Sequence, residues 1–152
     1  MQLVIQRVKR ACVKVNSKKV SEISQGLVLL VCCEKGDDEK VISWVGEKIT
    51  KLRIFSDEEG KFNLSVKDVK GEVLLVSNFT VCGFLKKGTR PSFHLAESPE
   101  VAEKTLNALK EKIESLGIKV ATGVFGAHME VEIVNDGPVT LYLRYPLKNR
   151  ST

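Results

Sequence analysis

The chain has 152 residues, 43% of them hydrophobic and 28% charged, enough apolar material for one buried core, so residues 1–152 read as a single domain. A net charge of +5 and a pI near 9.0 favour an anionic partner, nucleic acid being the obvious class. No run approaches the ~18 apolar residues of a membrane span, and residues 1–8 alternate instead of forming a charged head and an apolar block, so a soluble cytoplasmic protein is expected.

Residues 1–8 predict a strand, and after the basic corner Lys9-Arg10, residues 11–15 predict its antiparallel partner. Strands follow at 20–23 and 26–33; the second is continuously apolar, as a central strand buried on both faces should be. Asp37-Asp38 places acid where a helix starts, and Val41, Ile42, Val45, Ile49 and Leu52 fall on one helical face, with Trp44 beside them for core packing. Residues 52–56 and 61–66 flank the hairpin loop Asp57-Glu58-Glu59-Gly60. A turn at Lys70-Gly71 leads into the apolar strand 73–80, whose end turns polar at Ser77-Asn78-Phe79-Thr80. Residues 83–93 form a basic loop. Ser98 as N-cap and Pro99 as first helical residue then open a helix with Ala102, Leu106, Leu109, Ile113 and Leu116 on one face and Gly117 as its stop. Strands at 118–122, 129–134 and 139–145 complete the chain, and the basic tail 148–152 is expected to fray. Many strands with two helices indicate an α+β domain with a mainly antiparallel sheet.

Four segments invite chemistry. Ser77 to Thr80 offers two hydroxyls, an amide and backbone N–H groups at the end of a buried strand, which suit an ester carbonyl or an oxyanion; the plain alternative is that they only terminate the strand. A hydroxyl nucleophile needs a base, and neither His94 nor His128 stands in a diagnostic motif. Lys86, Lys87 and Arg90 follow closely and suit a phosphate backbone, unless they are merely solvated. In Asn135-Asp136-Gly137-Pro138-Val139-Thr140, Asp-Gly signals a tight hairpin turn, yet Pro138 lacks the N–H that a returning strand needs. The hairpin and a kinked, carbonyl-presenting corner both remain open. The cysteines, Cys12, Cys32, Cys33 and Cys82, have no C-x-x-C spacing and predict buried thiols in a reducing compartment, with neither zinc nor disulfides. No metal or cofactor is expected.

Taken together, Val4-Ile5-Gln6-Arg7-Val8, Glu34-Lys35-Gly36-Asp37, Leu52-Arg53-Ile54-Phe55, Asn63-Leu64-Ser65-Val66, Ser77-Asn78-Phe79-Thr80, Gly88-Thr89-Arg90-Pro91-Ser92-Phe93 and Asn135 to Thr140 resemble the D-aminoacyl-tRNA deacylase family over nearly the whole chain. The resemblance implies a compact, barrel-like antiparallel sheet with two principal helices. It also implies a homodimer with sites at the interface and a proofreading hydrolase that frees tRNA from D-amino acids or glycine. Ser77, Asn78, Phe79 and Thr80 would line the catalytic pocket, and Met129 would join the substrate contacts. Gly137-Pro138 would be a Gly-cisPro element reaching into the partner's pocket to reject L-amino acids, with Arg7 fixing its orientation, and Lys86, Lys87 and Arg90 would hold tRNA. The family usually has glutamine at the position of Asn78, which keeps the amide but shortens its reach. Within this reading, either the protein and the terminal ribose hydroxyl position water, or Thr80 attacks as a nucleophile. The rivals are a non-catalytic dimeric tRNA-binding module and a thiol hydrolase using Cys82.

Overall fold

The computed structural model describes residues 1–147, so the tail 148–152 lies outside the described residues. A 14-residue strand, β1 (Gln2–Val15), organises the sheet. One edge pairs antiparallel first with β3 (Gly26–Cys32) and then with β2 (Lys18–Ile23); the other pairs along its length with β8 (Glu130–Arg144). β3 continues the sheet to β6 (Glu72–Ser77) and β6 to β7 (Val120–Thr122), both as parallel pairs. The result is a mainly antiparallel, nearly closed barrel-like sheet of α+β class, as expected, with a two-stranded hairpin of β4 (Phe55–Ser56) and β5 (Phe62–Leu64) beside it.

One expectation is corrected. Residues 1–15 form one strand, because Lys9 and Arg10 sit exposed at a register irregularity against β8, where the strand bends without reversing. The two helices, α1 (Glu39–Lys51) and α2 (Pro99–Ser115), lie in the connections of the two parallel pairs, since a parallel strand needs a long return path.

Local chemistry sets the helix ends. The Asp38 carboxylate accepts from the Val41 N–H at 3.1 Å and caps α1. Asp37 instead accepts from the Glu34 N–H and from the Met1 ammonium, both at 2.8 Å. Ser98 occupies the N-cap of α2, but its hydroxyl makes no capping bond; Gly117 ends the helix at φ 92°.

Both faces of β3 and β6 are buried, as the apolar runs require. Leu27, Leu29, Val31, Val73 and Leu75 meet the helices through Val45, Ile49, Leu109 and Ile113, while Val28, Leu74 and Val76 pack toward Val8, Val13 and Val131. Trp44 sits half-buried at the margin of the first cluster, stacked on Tyr145 at 3.9 Å. Among the described residues no helix is long and apolar enough to cross a membrane.

A buried ion cluster ties the chain's two long strands to the start of α1. Arg144 donates twice to Glu34 at 2.8 Å, and the Met1 ammonium lies 3.6 Å from the same carboxylate. Burial opposes ionisation of Glu34, but Arg144 and the ammonium hold its pKa below the ordinary value. Asp37 moves the other way, upward, chiefly through burial. A carboxylate with a lowered folded-state pKa stabilises the fold above its unfolded pKa of about 4.3 and loses that contribution as pH falls through the folded value. Glu34→Gln is therefore expected to cost about 3 kcal/mol at pH 7, by removing the buried carboxylate that Arg144 and the Met1 ammonium share. Urea titrations across pH should show the gap between parent and variant closing below about pH 4; a gap that is constant with pH would contradict this.

Candidate active site

The carboxyl ends of the parallel strands β3 and β6 lie side by side, and there a cavity of about 720 Å³ opens. Leu30, Val31, Val76, Phe125, Met129 and Val131 make most of its wall apolar. Ser77, Asn78, Phe79 and Thr80 supply its polar edge, so all four predicted catalytic positions meet predicted Met129 in one place. Met129 lies close over Gly123, where an added Cβ would come within 2.5 Å of its sulfur.

β6 stops at Ser77, and residues Phe79–Cys82 wind into a single 3₁₀ turn. The Asn78 N–H is spent on the Val31 carbonyl at 2.8 Å, so it cannot serve an oxyanion. The N–H groups of Phe79 and Thr80 open the turn, and neither has a hydrogen-bond partner among the described residues. The Thr80 hydroxyl donates to the side-chain carbonyl of Asn78, an amide that cannot take up a proton as a base. Phe79 is 57% exposed and stands edge-on to Phe93 at 5.0 Å. Glu97 and His128 also line the cavity, but neither hydrogen-bonds to Thr80. Glu97 and His128 carry no local sequence signal, and Phe93 only its place in the block 88–93; loop topology brings all three here.

The turn is fastened from behind. Cys32 at the end of β3 and Cys82 at the end of the turn form a disulfide, which corrects the expectation of free thiols; Cys12 and Cys33 are free and buried. A separation of 50 residues conceals the pairing in the sequence, and the parallel register of β3 and β6 creates it. Burial pushes the Cys33 thiol up to about 12, so it is no nucleophile at neutral pH. Among the described residues no cluster of His, Cys, Asp and Glu has the makings of a metal site.

Gly137-Pro138 is absent from this cavity's lining and lies exposed on β8. The hairpin reading fails there: β8 pairs with β1 at Asn135↔Val8 and again at Thr140↔Gln6, so residues 136–139 bulge out opposite Arg7 alone. The Gly137-Pro138 peptide bond is cis. Arg7 donates to the Asp136 carbonyl and the Ile54 carbonyl, each at 2.9 Å, while the Asn135 side chain accepts from the Val139 N–H at 2.8 Å. Gly137 holds φ at 142°, and a Cβ there would meet Val139 Cγ2 at 2.8 Å and Arg7 Nη2 at 3.3 Å. Lys86 and Lys87 line a separate small hollow, and Arg90 is exposed on the same loop.

A family model described as D-Tyr-tRNA(Tyr) deacylase matches residues 4–144. A D-aminoacyl-tRNA deacylase of Caldicellulosiruptor saccharolyticus is 53% identical over 94% of this chain and 96% of its own length. That of Natranaerobius thermophilus is 49% identical over the same shares. Among solved structures, that of a c-Myc DNA Unwinding Element Binding Protein superposes with a TM-score of 0.92 at 40% identity, covering 96% of this chain and 99% of that one. A probable eukaryotic D-amino acid tRNA deacylase shares the fold with a TM-score of 0.79 at 15% identity, covering 93% and 97%.

The disulfide closes a loop of about 50 residues and should stabilise the fold by about 2–4 kcal/mol. Thermal melts with and without a strong reductant test this: the parent's melting temperature should fall on reduction and that of Cys32→Ala should not. Equal responses would show that the bond contributes nothing.

Proposed function

The chain belongs to the D-Tyr-tRNA(Tyr) deacylase family and is a hydrolase of that type; from this premise we propose that it cleaves the ester joining a D-amino acid to the 3′ end of tRNA, as a homodimer acting in the cytoplasm. The observation that carries the reading is the pair of unengaged N–H groups, Phe79 and Thr80, at the edge of an apolar cavity without a base on its hydroxyl.

The chemistry follows from that poverty of reactive groups. Water attacks the ester carbonyl, and the oxyanion that forms accepts from the Phe79 and Thr80 N–H groups. The bond to the ribose oxygen then breaks, that oxygen takes one of the two protons of the attacking water, and the amino acid leaves as its carboxylate with the other proton released to solvent. The 2′-hydroxyl of the terminal ribose relays the proton, since among the described residues neither Glu97 nor His128, which also line the cavity, hydrogen-bonds to the Thr80 hydroxyl. Thr80, with its proton given to an amide, serves to hold Asn78 and not to attack. This use of the shorter Asn78 side chain leaves the oxyanion contacts to the backbone.

Selection falls to residues 136–139. Glycine allows close approach of backbone to substrate, and the exposed bulge is shaped to enter a neighbouring copy's cavity and take the substrate's ammonium on its carbonyls. With ammonium and ester both pinned, an L side chain meets the wall and a D side chain points out. Glycine, having no side chain, also passes. Exposed Leu141 and Tyr142 on the same strand and Phe62 nearby supply apolar surface for the second copy. Lys86, Lys87 and Arg90 hold the tRNA backbone.

The runner-up is a non-catalytic tRNA-binding dimer, favoured by the basic charge and by the DNA binding for which the 40% identical relative is named. Deacylation of D-tyrosyl-tRNA against L-tyrosyl-tRNA separates the two. Release from the D ester at least a hundredfold faster than from the L ester is expected on steric rejection, with Thr80→Ala keeping most of the rate. No release from either ester would favour the binding module, and complete loss in a folded Thr80→Ala would restore the covalent route.

A further inference from the structure

The loop after the 3₁₀ turn carries a second hollow, of about 230 Å³, lined by Phe84, Lys86, Lys87, Ser92 and His94. We propose that it is a second nucleotide subsite, which takes the unpaired base and the phosphate of the nucleotide preceding the esterified one. This deepens the proposed deacylase function and rests on it for the identity of the RNA.

The hollow is built, and four observations describe it. Phe84 and Ser92 exchange backbone hydrogen bonds at 2.7 and 3.0 Å, which pinch the loop and make residues 85–91 project as a basic tip. Its aromatic walls are Phe84 and His94, edge to face at 5.5 Å and 75°, with the imidazole oriented by Ser92 Oγ at 2.9 Å from Nδ1. The sequence holds no Asp or Glu between Cys82 and Glu97, and among the described residues no ion pair engages Lys86 or Lys87. Finally, Phe93 stands between Ser92 and His94 in sequence and lines the cavity beside the 3₁₀ turn, so the two hollows share one stretch of backbone.

Each observation constrains the occupant. Two cations without counter-charge call for an anion, and neighbouring aromatic rings call for a planar group; a nucleotide offers both. The volume is below the ~300 Å³ at which sites for small organic ligands begin, which suits a single base. The shared backbone sets the hollow one step from the ester, and a base can enter it only if that step of the RNA is single-stranded. Specificity for one base is not required, because every base presents a flat face to stack.

The test compares two D-tyrosyl esters, one on full tRNA and one on adenosine alone, which lacks the preceding nucleotide. His94→Ala should raise KM for the tRNA ester about tenfold, the loss expected for one stacked base. It should leave kcat unchanged and spare hydrolysis of the adenosine ester, and His94→Phe, which restores a flat ring, should recover KM. Equal damage on both esters would mark His94 as structural, and an unchanged KM on tRNA, or no rescue by phenylalanine, would also overturn the subsite. If the parent cleaves neither ester, the hydrolase reading fails separately. Fluorescence-anisotropy binding of an uncharged single-stranded trinucleotide, weakened by His94→Ala or not, still decides the subsite.

Discussion

One buried guanidinium fixes the bulge that interrupts the longest strand pair. Arg7 is 9% exposed and sits on β1 opposite the four-residue bulge of β8. Its donors go to the Asp136 carbonyl, the Ile54 carbonyl and Ser56 Oγ, and its flat face lies 5.5 Å from the ring of Phe62. It thereby joins the bulge on the long strand to the β4–β5 hairpin. A buried cation of this kind is costly unless every donor finds an acceptor. The reciprocal holds for the bulge, whose Asp136 carbonyl accepts from Arg7 and whose Val139 N–H donates to the Asn135 side chain, neither having a strand partner. The stiffness of residues 136–139 is thus a consequence of hydrogen-bond accounting, not of the glycine and proline alone.

The cavity is held on a different principle. Two parallel strands end together, and the chain after β6 must turn away before α2 can return it to β7. That turn is where backbone N–H groups lose their ladder partners, so unpartnered donors arise from the topology itself. The disulfide to the end of β3 and the edge contact of Phe79 with Phe93 keep the donors aimed. On the proposed mechanism, fixed backbone dipoles have little to reorganise during the reaction, which is how they would lower its barrier.

Much of this was legible in the residues. Helical stripes marked α1 and α2, the apolar run 26–33 marked a strand covered on both faces, and the sudden polarity after Val76 marked the cavity edge. Where the reading failed, the cause was non-local. Lys9 and Arg10 look like a turn because a bend in one long strand also exposes side chains. The Asp136-Gly137 pair has the chemistry of a hairpin turn, yet β1 extends past it on both sides and holds β8 straight. Cys32 and Cys82 become neighbours only through the parallel pairing of β3 and β6, which no spacing rule reveals. The same holds for Phe93, Glu97 and His128, which loops deliver to the cavity.

The central claim is that a working site takes its cavity from one copy and its bulge from another. Mixing two inactive variants tests it directly: Thr80→Trp, which fills the exposed cavity edge, and Gly137→Val, whose side chain has no room beside Val139 and Arg7. Refolded together in equal amounts, they should regain about a quarter of the parent's D-tyrosyl-tRNA deacylation, because half of randomly formed dimers carry one intact site of two. No recovery in a mixture shown to contain the mixed dimer, or full activity of Gly137→Val by itself, would contradict the account.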